Sequence, residues 1–422
     1  MEWIYKLYHK VEHNPLVKQA VKVYRKGNPI ENKKALKRLK ALSQKKASGK
    51  TAKVVFIGQS TTCWNKLKSV CDEMIKDSRF DVKVLAVPDD VCKSNSGVYD
   101  YFYNIYGDLT IKADEGNGWF DLKAYSPDYV IYQRPYDRYL PKEYQSAIVA
   151  DYAKTVYVPY GFIFLAGVDE VIMPHLFYRN MYMFFCESKV TYDFNCARYK
   201  SEIELGYKKG YNIGYPSLED FLREKEKYKV EDDDYFRVLW TPRWSDDKEL
   251  GGSSFMENKD NVVKLIDESE DIKLIFRPHP MTFNYFIEKG SLTKEEADEY
   301  IKKYEENDRL EYDKSPYYVK TLWENDVLFT DTSSIIAEYY LSDKPIVFYE
   351  TGGSSSEFFN ELKKGMYCVD KWEDAKKVLL DLRAGVDPLK DVRRKIKEEM
   401  FGKNNENIAK KYLEVIYEDY TN

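Results

Sequence analysis

DVLFTDTSSIIAEYYLSDKPIVFYE (Asp326–Glu350) is the stretch that decides the fold. It opens on an apolar run that ends in Asp-Thr-Ser-Ser. A helical segment over Ser334–Leu341 follows directly, and a second apolar run starts at Pro345. Strand, helix and strand in so short a span predict a parallel βα arrangement. The same texture extends towards the N-terminus through IKLIFRPHP (Ile272–Pro280) and FRVLWTP (Phe236–Pro242), with a further helix over Lys294–Glu306. A charged stretch without apolar periodicity, Arg223–Asp234, reads as a linker. Before it lies an equivalent series: KVVFIG (Lys53–Gly58), helical Trp64–Lys76, VKVLAV (Val82–Val87), DYVIYQ (Asp128–Gln133), TVYVPYG (Thr155–Gly161) and MYMFFC (Met181–Cys186), closing near YNIGYPSLEDF (Tyr211–Phe221). The fold class is therefore α/β, with two Rossmann-type doubly wound domains at 51–222 and 235–403. A helical basic extension at 1–50 precedes them, and a C-terminal helix at 404–422 follows.

The length, 422 residues, already favours two domains over one core. A hydrophobic fraction of 43% with 32% charged residues describes a water-soluble globular chain rather than a membrane-embedded or disordered one. The net charge of −5 hides an asymmetry. Residues 1–53 hold 15 Lys+Arg against 3 Asp+Glu, or +12, which leaves 51 against 68, or −17, on the rest. Trp3, Ile4, Leu7, Tyr8 and Val11 recur at helical spacing among those basic residues, and Gly27-Asn28-Pro29 breaks the pattern before a second basic stretch, Asn32–Lys46. A basic amphipathic helix suits an anionic membrane surface, or else packs on its own body or makes an oligomer contact. The six cysteines include no CxxC pair, which points to reduced thiols and no zinc site. The N-terminus has no apolar core of a secretory signal, and the apolar run Gly161–Val168 is too short to span a bilayer. The expected location is the cytoplasm, peripheral at the inner face of the cell membrane.

Three elements carry chemistry. Thr332, Ser333 and Ser334 crowd hydroxyls at a helix start, where exposed N–H groups and the helix dipole favour phosphate; an ordinary capping box reads the same way. Glu338, one turn inward, is placed to accept a ribose hydroxyl. RPHP (Arg277–Pro280) ends a strand with a planar multidentate cation, Arg277, and a proton-handling group, His279. TPRW (Thr241–Trp244) puts Arg243 just beyond a strand and before the Gly/Ser-rich GGSSF (Gly251–Phe255), which reads either as a cover over a ligand or as a solvent loop. No GxGxxG or Walker A loop is present, so dinucleotide or ATP binding has no support. Two similar α/β domains suggest the GT-B architecture, with the ligand in the cleft at the carboxyl ends of the strands.

GYPSLED (Gly214–Asp220), LWTPRW (Leu239–Trp244), RPHP and DTSSIIAEYYLSDKPIVFY (Asp331–Tyr349) together resemble the CDP-glycerol glycerophosphotransferase family, the enzymes that prime and polymerise teichoic-acid-like polymers. The resemblance covers about half the chain, from Tyr211 onward. It implies a GT-B fold, a CDP-linked donor in the C-terminal domain, His279 in the catalytic cleft, and donor phosphates at Thr332, Ser333 and Ser334. Members of the family usually carry a second catalytic histidine in a Trp-His-Gly-Thr-Pro-like segment of the N-terminal domain. Here the matching place reads VYVPYGF (Val156–Phe162), with Pro159-Tyr160 in place of Trp-His. Either the nearest histidine, His175, takes the base role, or a carboxylate such as Asp169 or Glu170 does, or the acceptor is activated differently.

The expected reaction moves a polyol phosphate, most of all glycerol phosphate, from a CDP-polyol to a hydroxyl of a lipid-linked or polymeric cell-surface acceptor, releasing CMP. No cofactor and no protein-bound metal are expected, because no DxD-like pair ends a strand. Two rivals stand beside this reading. One is a GT-B nucleotide-sugar glycosyltransferase of capsule or lipopolysaccharide synthesis; the other is a non-catalytic subunit of a polymer-assembly complex. Nucleic acid is excluded as a partner by the acidic body and the lack of a reading motif.

Overall fold

The computed structural model describes residues 28–88, 97–166, 173–228, 234–248, 251–315, 318–402 and 406–422. The helical pattern of Trp3 to Val11, and the substitute carboxylates Asp169 and Glu170, lie outside them. Two compact units are formed. The first takes the described residues up to Tyr160, those of Val168–Pro216, and Ile408–Asn422; the second takes those of Gly161–Gly167 and Ser217–Asn407.

The first unit is a seven-stranded sheet: β1 (Ala52–Gly58), β2 (Phe80–Ala86), β3 (Thr110–Lys112), β4 (Tyr129–Tyr132), β5 (Lys154–Tyr157), β6 (Met183–Phe185) and β7 (Lys209–Tyr211). Its order is β3-β2-β1-β4-β5-β6-β7. Pairing is parallel throughout, with Val54 opposite both Val82 and Tyr129. The second unit is a six-stranded sheet: β8 (Phe236–Thr241), β9 (Ile272–Phe276), β10 (Leu310–Tyr312), β11 (Val327–Thr330), β12 (Ile346–Tyr349) and β13 (Tyr367–Val369), in the order β10-β9-β8-β11-β12-β13. Again every pair is parallel. Each order reverses direction once, between β1 and β4 and between β8 and β11, which makes a crevice at the carboxyl end of each sheet.

The central strands form because their apolar runs are covered on both faces: Val54, Val55 and Phe56 in β1, and Val327, Leu328 and Phe329 in β11, are fully buried. Gly58 closes β1 because a Cβ there would come within 2.6 Å of the Phe102 ring. The break at Gly27-Asn28-Pro29 becomes a helix start: Asn28 accepts the N–H of Ile30 at 2.9 Å and Pro29 takes the first turn of Pro29–Ser43. Ala35, Leu39 and Leu42 bury one face of that helix, while its lysines stay outside.

The helix expected over Trp64–Lys76 is instead two, Thr61–Trp64 and Lys68–Lys76, with the buried Trp64 and Leu67 packed in the core at the break. The C-terminal helix, Ile408–Thr421, folds back onto the first sheet. Tyr412 stacks on Phe185 with ring centroids 4.0 Å apart. Asp419 is buried and takes the hydroxyls of Tyr129 and Tyr182 and the ammonium of Lys154 at 2.6, 2.7 and 2.8 Å. Lys209 adds an ion pair at 2.5 Å. Burial alone would raise the Asp419 pKa, but these lysines and phenols hold it below the usual carboxylate range. Among the described residues, no helix is long and apolar enough to cross a membrane.

Candidate active site

The carboxyl ends of β8, β9 and β11 gather most of the residues singled out in the sequence. The two central strands are stitched at their last residues, where Thr241 Oγ1 donates to Thr330 Oγ1 and Thr330 Oγ1 to the Thr241 carbonyl, both at 2.8 Å. The chain then turns at Asp331, which is fully buried. Its Oδ1 accepts the backbone N–H of Arg243 at 2.7 Å; its Oδ2 accepts the N–H and Oγ–H of Ser254 at 2.8 and 3.0 Å. One carboxylate thus fixes the loops after β8 and β11. Burial raises its pKa to about 7, against those three hydrogen bonds and the nearby Arg243 charge.

Arg243 is half-buried and donates from Nη1 to the Thr332 carbonyl at 3.2 Å. Its Nε is buried with no partner among the described residues. Burial depresses the guanidinium pKa, with the Asp331 charge opposing. The Gly/Ser-rich loop is docked rather than loose. Gly251 has φ +100°, and a Cβ there would stand 2.9 Å from Thr332, so only glycine lets the loop approach so closely. Thr351 Oγ1 donates to the Gly251 carbonyl.

His279 follows β9. Its Nδ1 accepts the N–H of Met281 at 3.2 Å, which places the proton of the neutral ring on Nε2. The ring lies 6.1 Å from that of Trp244, tilted by 38°. The residue is exposed to solvent, yet the protein packed around the ring and, secondarily, the Arg243 charge lower its pKa to about 4. At neutral pH His279 is therefore a hydrogen-bond donor without charge. Arg277 is committed elsewhere. It pairs with Asp313 at 2.6 Å, donates to the Ser315 carbonyl at 2.8 Å, and lies 5.8 Å from the Tyr318 ring. That makes it a brace for the segment after β10.

The three hydroxyls after Asp331 grade outward: Thr332 is buried, Ser333 half-buried and Ser334 exposed. Ser334 starts the helix Ile335–Tyr340 without a side-chain cap bond. The capping box that the sequence allowed is therefore not made. Glu338 is buried inside the unit, where its Oε1 accepts the hydroxyls of Ser217 at 2.9 Å and Tyr318 at 3.0 Å. Those bonds anchor the helix; a ribose hydroxyl would have to displace them.

His175 belongs to the first unit, at the start of the helix His175–Tyr178. Nδ1 pairs with the Tyr199 hydroxyl and Nε2 with Asn32 Oδ1, each at 3.1 Å, and the ring stacks on Tyr199. Burial, then Arg198, Arg179 and Lys208, lower its pKa to about 4. With both nitrogens engaged, this is the geometry of a packing residue. Two residues that the motifs did not single out are central: Asp331, which orders the site, and Trp244, which flanks His279. Asp331 had a signal, since it is an acid that directly follows an apolar strand, β11. Among the described residues, no cluster of three His, Cys, Asp or Glu could hold a metal ion.

Residues 199–368 match the model of the CDP-Glycerol:Poly(glycerophosphate) glycerophosphotransferase family. No curated protein matches the chain. Among solved structures, the wall teichoic acid polymerase TagF soaked with CDPG is similar at a TM-score of 0.55 and 14% identity, covering 92% of this chain and 94% of that one. The UDP-GlcNAc 2-epimerase of Neisseria meningitidis bound to UDP-GlcNAc is similar at 0.57 and 12%, covering 87% and 100%. That of Methanocaldococcus jannaschii is similar at 0.56 and 15%, covering 86% and 99%. The likeness to these solved structures shows a GT-B-like fold, and within it residues 199–368 are similar to the CDP-glycerol glycerophosphotransferase family.

Proposed function

We propose that this enzyme transfers a polyol phosphate, most of all glycerol phosphate, from a CDP-polyol to a hydroxyl of a lipid-linked or polymeric cell-surface acceptor. The acceptor oxygen attacks the phosphorus that bears the polyol. The bond from that phosphorus to the bridging oxygen breaks, CMP leaves with the electron pair, and the acceptor proton passes to solvent or to the leaving phosphate. The observation that supports this reading best is the set of uncommitted donors around Asp331. The Arg243 Nε–H, the His279 Nε2–H and the hydroxyls of Thr332, Ser333 and Ser334 make no hydrogen bond among the described residues, and they share the carboxyl end of one sheet. Phosphoryl transfer needs such donors, because charge spreads onto the equatorial and leaving oxygens.

Arg243 takes the phosphate oxygens, the three hydroxyls cradle the diphosphate, and His279 donates to the bridging oxygen as it gains charge. No cofactor is required. The test is a donor panel with the purified protein: CMP release from CDP-glycerol or CDP-ribitol supports the reading. Turnover of UDP-N-acetylglucosamine or CMP-sugars alone, with no CDP-polyol consumed, would contradict it.

The acceptor chemistry suggests a membrane surface, and exposed Lys33, Lys34, Lys37 and Lys40 on the helix Pro29–Ser43 are suited to anionic lipid at about 1 kcal/mol each. Replacing Lys33, Lys37 and Lys40 together by glutamate is expected to release the protein from phosphatidylserine-containing vesicles in a sedimentation assay. Unchanged sedimentation would remove this helix from the membrane contact.

A further inference from the structure

We infer that residues 161–166 form a strap that positions the hydroxyl cradle of the second unit; the diphosphate assigned to that cradle rests on the transfer proposed above. The chain leaves the first unit after Tyr160, and these residues belong to the second. Phe162, Ile163 and Phe164 are buried there. Phe162 stacks on Phe358 and Phe164 on Phe359, with ring centroids 5.2 and 4.7 Å apart, at the start of the helix Glu357–Lys363. Leu165 makes an antiparallel bridge with Ser355. The Ala166 N–H donates to the Ser354 carbonyl at 2.7 Å, and the Ser356 N–H to the Phe164 carbonyl at 2.8 Å. Ser356 Oγ donates to the Ile163 carbonyl, also at 2.8 Å.

The loop held in this way, residues 351–356 after β12, reaches the cradle through glycines. Gly353 has φ +80°, and a Cβ on it would stand 3.1 Å from the backbone nitrogen and Cα of Gly251. Gly251 in turn closes on Thr332, and Thr351 is bonded to its carbonyl. At its other end the strap meets the cradle directly. A Cβ on Gly161 would lie 3.9 Å from that of Ser334, an ordinary van der Waals contact.

Thr332 and Ser334 are therefore approached from two sides by parts of one docked assembly. The helix that follows them, Ile335–Tyr340, is short and has no side-chain cap, so it fixes their position weakly by itself. Releasing the strap lowers the fraction of molecules whose hydroxyls are set for a diphosphate, and the apparent affinity falls by that fraction.

The test compares full-length variants by hydrogen exchange across residues 251–255 and by calorimetric titration of CDP. Ser356 also caps its helix by accepting the Phe359 N–H at 3.1 Å. Ser356→Gly removes the bond to Ile163 while disturbing that cap little, and Ser356→Thr keeps both. Phe164→Ala removes the closer ring stack. Leu379→Ala opens a cavity in the apolar cluster of the same unit, which does not include the strap. Ser356→Gly and Phe164→Ala should speed exchange at residues 251–255 and weaken CDP binding about tenfold, as for a cradle set in one molecule in ten. Ser356→Thr should match wild type, and Leu379→Ala should lower Tm with neither change. With CDP-glycerol the loss should appear in KM rather than kcat, because a bound diphosphate holds the cradle itself. Wild-type exchange or wild-type CDP affinity in Ser356→Gly overturns the strap, as does an equal loss in Leu379→Ala; the Ser356 pair decides if Phe164→Ala does not fold. Absence of CDP binding by wild type overturns the donor reading instead, and the exchange comparison, which needs no ligand, still decides the strap.

Discussion

Replacing His279 by alanine is expected to lower CMP release from CDP-glycerol by about 10²–10³-fold, the cost of removing one donor aimed at developing charge. The magnitude follows from the state of the ring. Met281 N–H occupies Nδ1, so the single proton is on Nε2, and the Trp244 ring flanks it at 6.1 Å. With its pKa lowered to about 4 by the surrounding protein and by Arg243, the ring is neutral throughout the working range. Two consequences separate a donor from a proton shuttle. Glutamine can present an amide N–H close to the position of Nε2, so His279→Gln should recover at least tenfold of what alanine loses. Protonation of His279 should also cause no loss of rate between pH 8 and about pH 5. Steady-state CMP release across that range checks both. A glutamine variant as inactive as alanine, together with an acid limb near pH 6.5, would show that His279 transfers a proton.

Replacing Asp419 by alanine is expected to destabilise the first unit by about 3–5 kcal/mol, the cost of leaving a buried charge without its partner. Asp419 takes Lys154, Lys209, Tyr129 and Tyr182, and the Lys154 ammonium is itself buried. Without the carboxylate, Lys154 keeps only its weaker bonds to the Asp419 carbonyl at 3.3 Å and the Tyr129 hydroxyl at 3.5 Å. Asp419→Asn keeps oxygen for some donors and should cost less. Urea unfolding followed by tyrosine and tryptophan fluorescence measures the difference. A loss below about 1 kcal/mol for alanine would mean that the helix Ile408–Thr421 is held by Tyr412 and its apolar neighbours alone.

The sequence made the central strands legible because each is an apolar run covered on both faces, as in β1, β4, β8 and β11. The outer strands β3, β7, β10 and β13 are three residues each, half exposed and mixed in polarity, so no periodicity marks them. The site was legible as residue types but not as partnerships. Thr332–Ser334, Arg243 and His279 stand out by position after strands, and the structure places them on one sheet end. Arg277 also stands out, yet its charge is taken by Asp313, 36 residues away. Glu338 meets Ser217 across 121 residues, and Asp331 meets Ser254 across 77. Such pairings are set by the topology of the sheet, and nothing in a local window signals them. The same holds for His175, whose two partners, Asn32 and Tyr199, come from opposite directions along the chain.

The most direct test of the donor site is a crystal structure of the full chain soaked with CDP-glycerol. The diphosphate should lie against Arg243 and the hydroxyls of Thr332, Ser333 and Ser334, with His279 Nε2 within hydrogen-bond distance of the bridging oxygen. A nucleotide bound away from the carboxyl ends of β8, β9 and β11, or a diphosphate out of reach of both Arg243 and His279, would contradict the assignment.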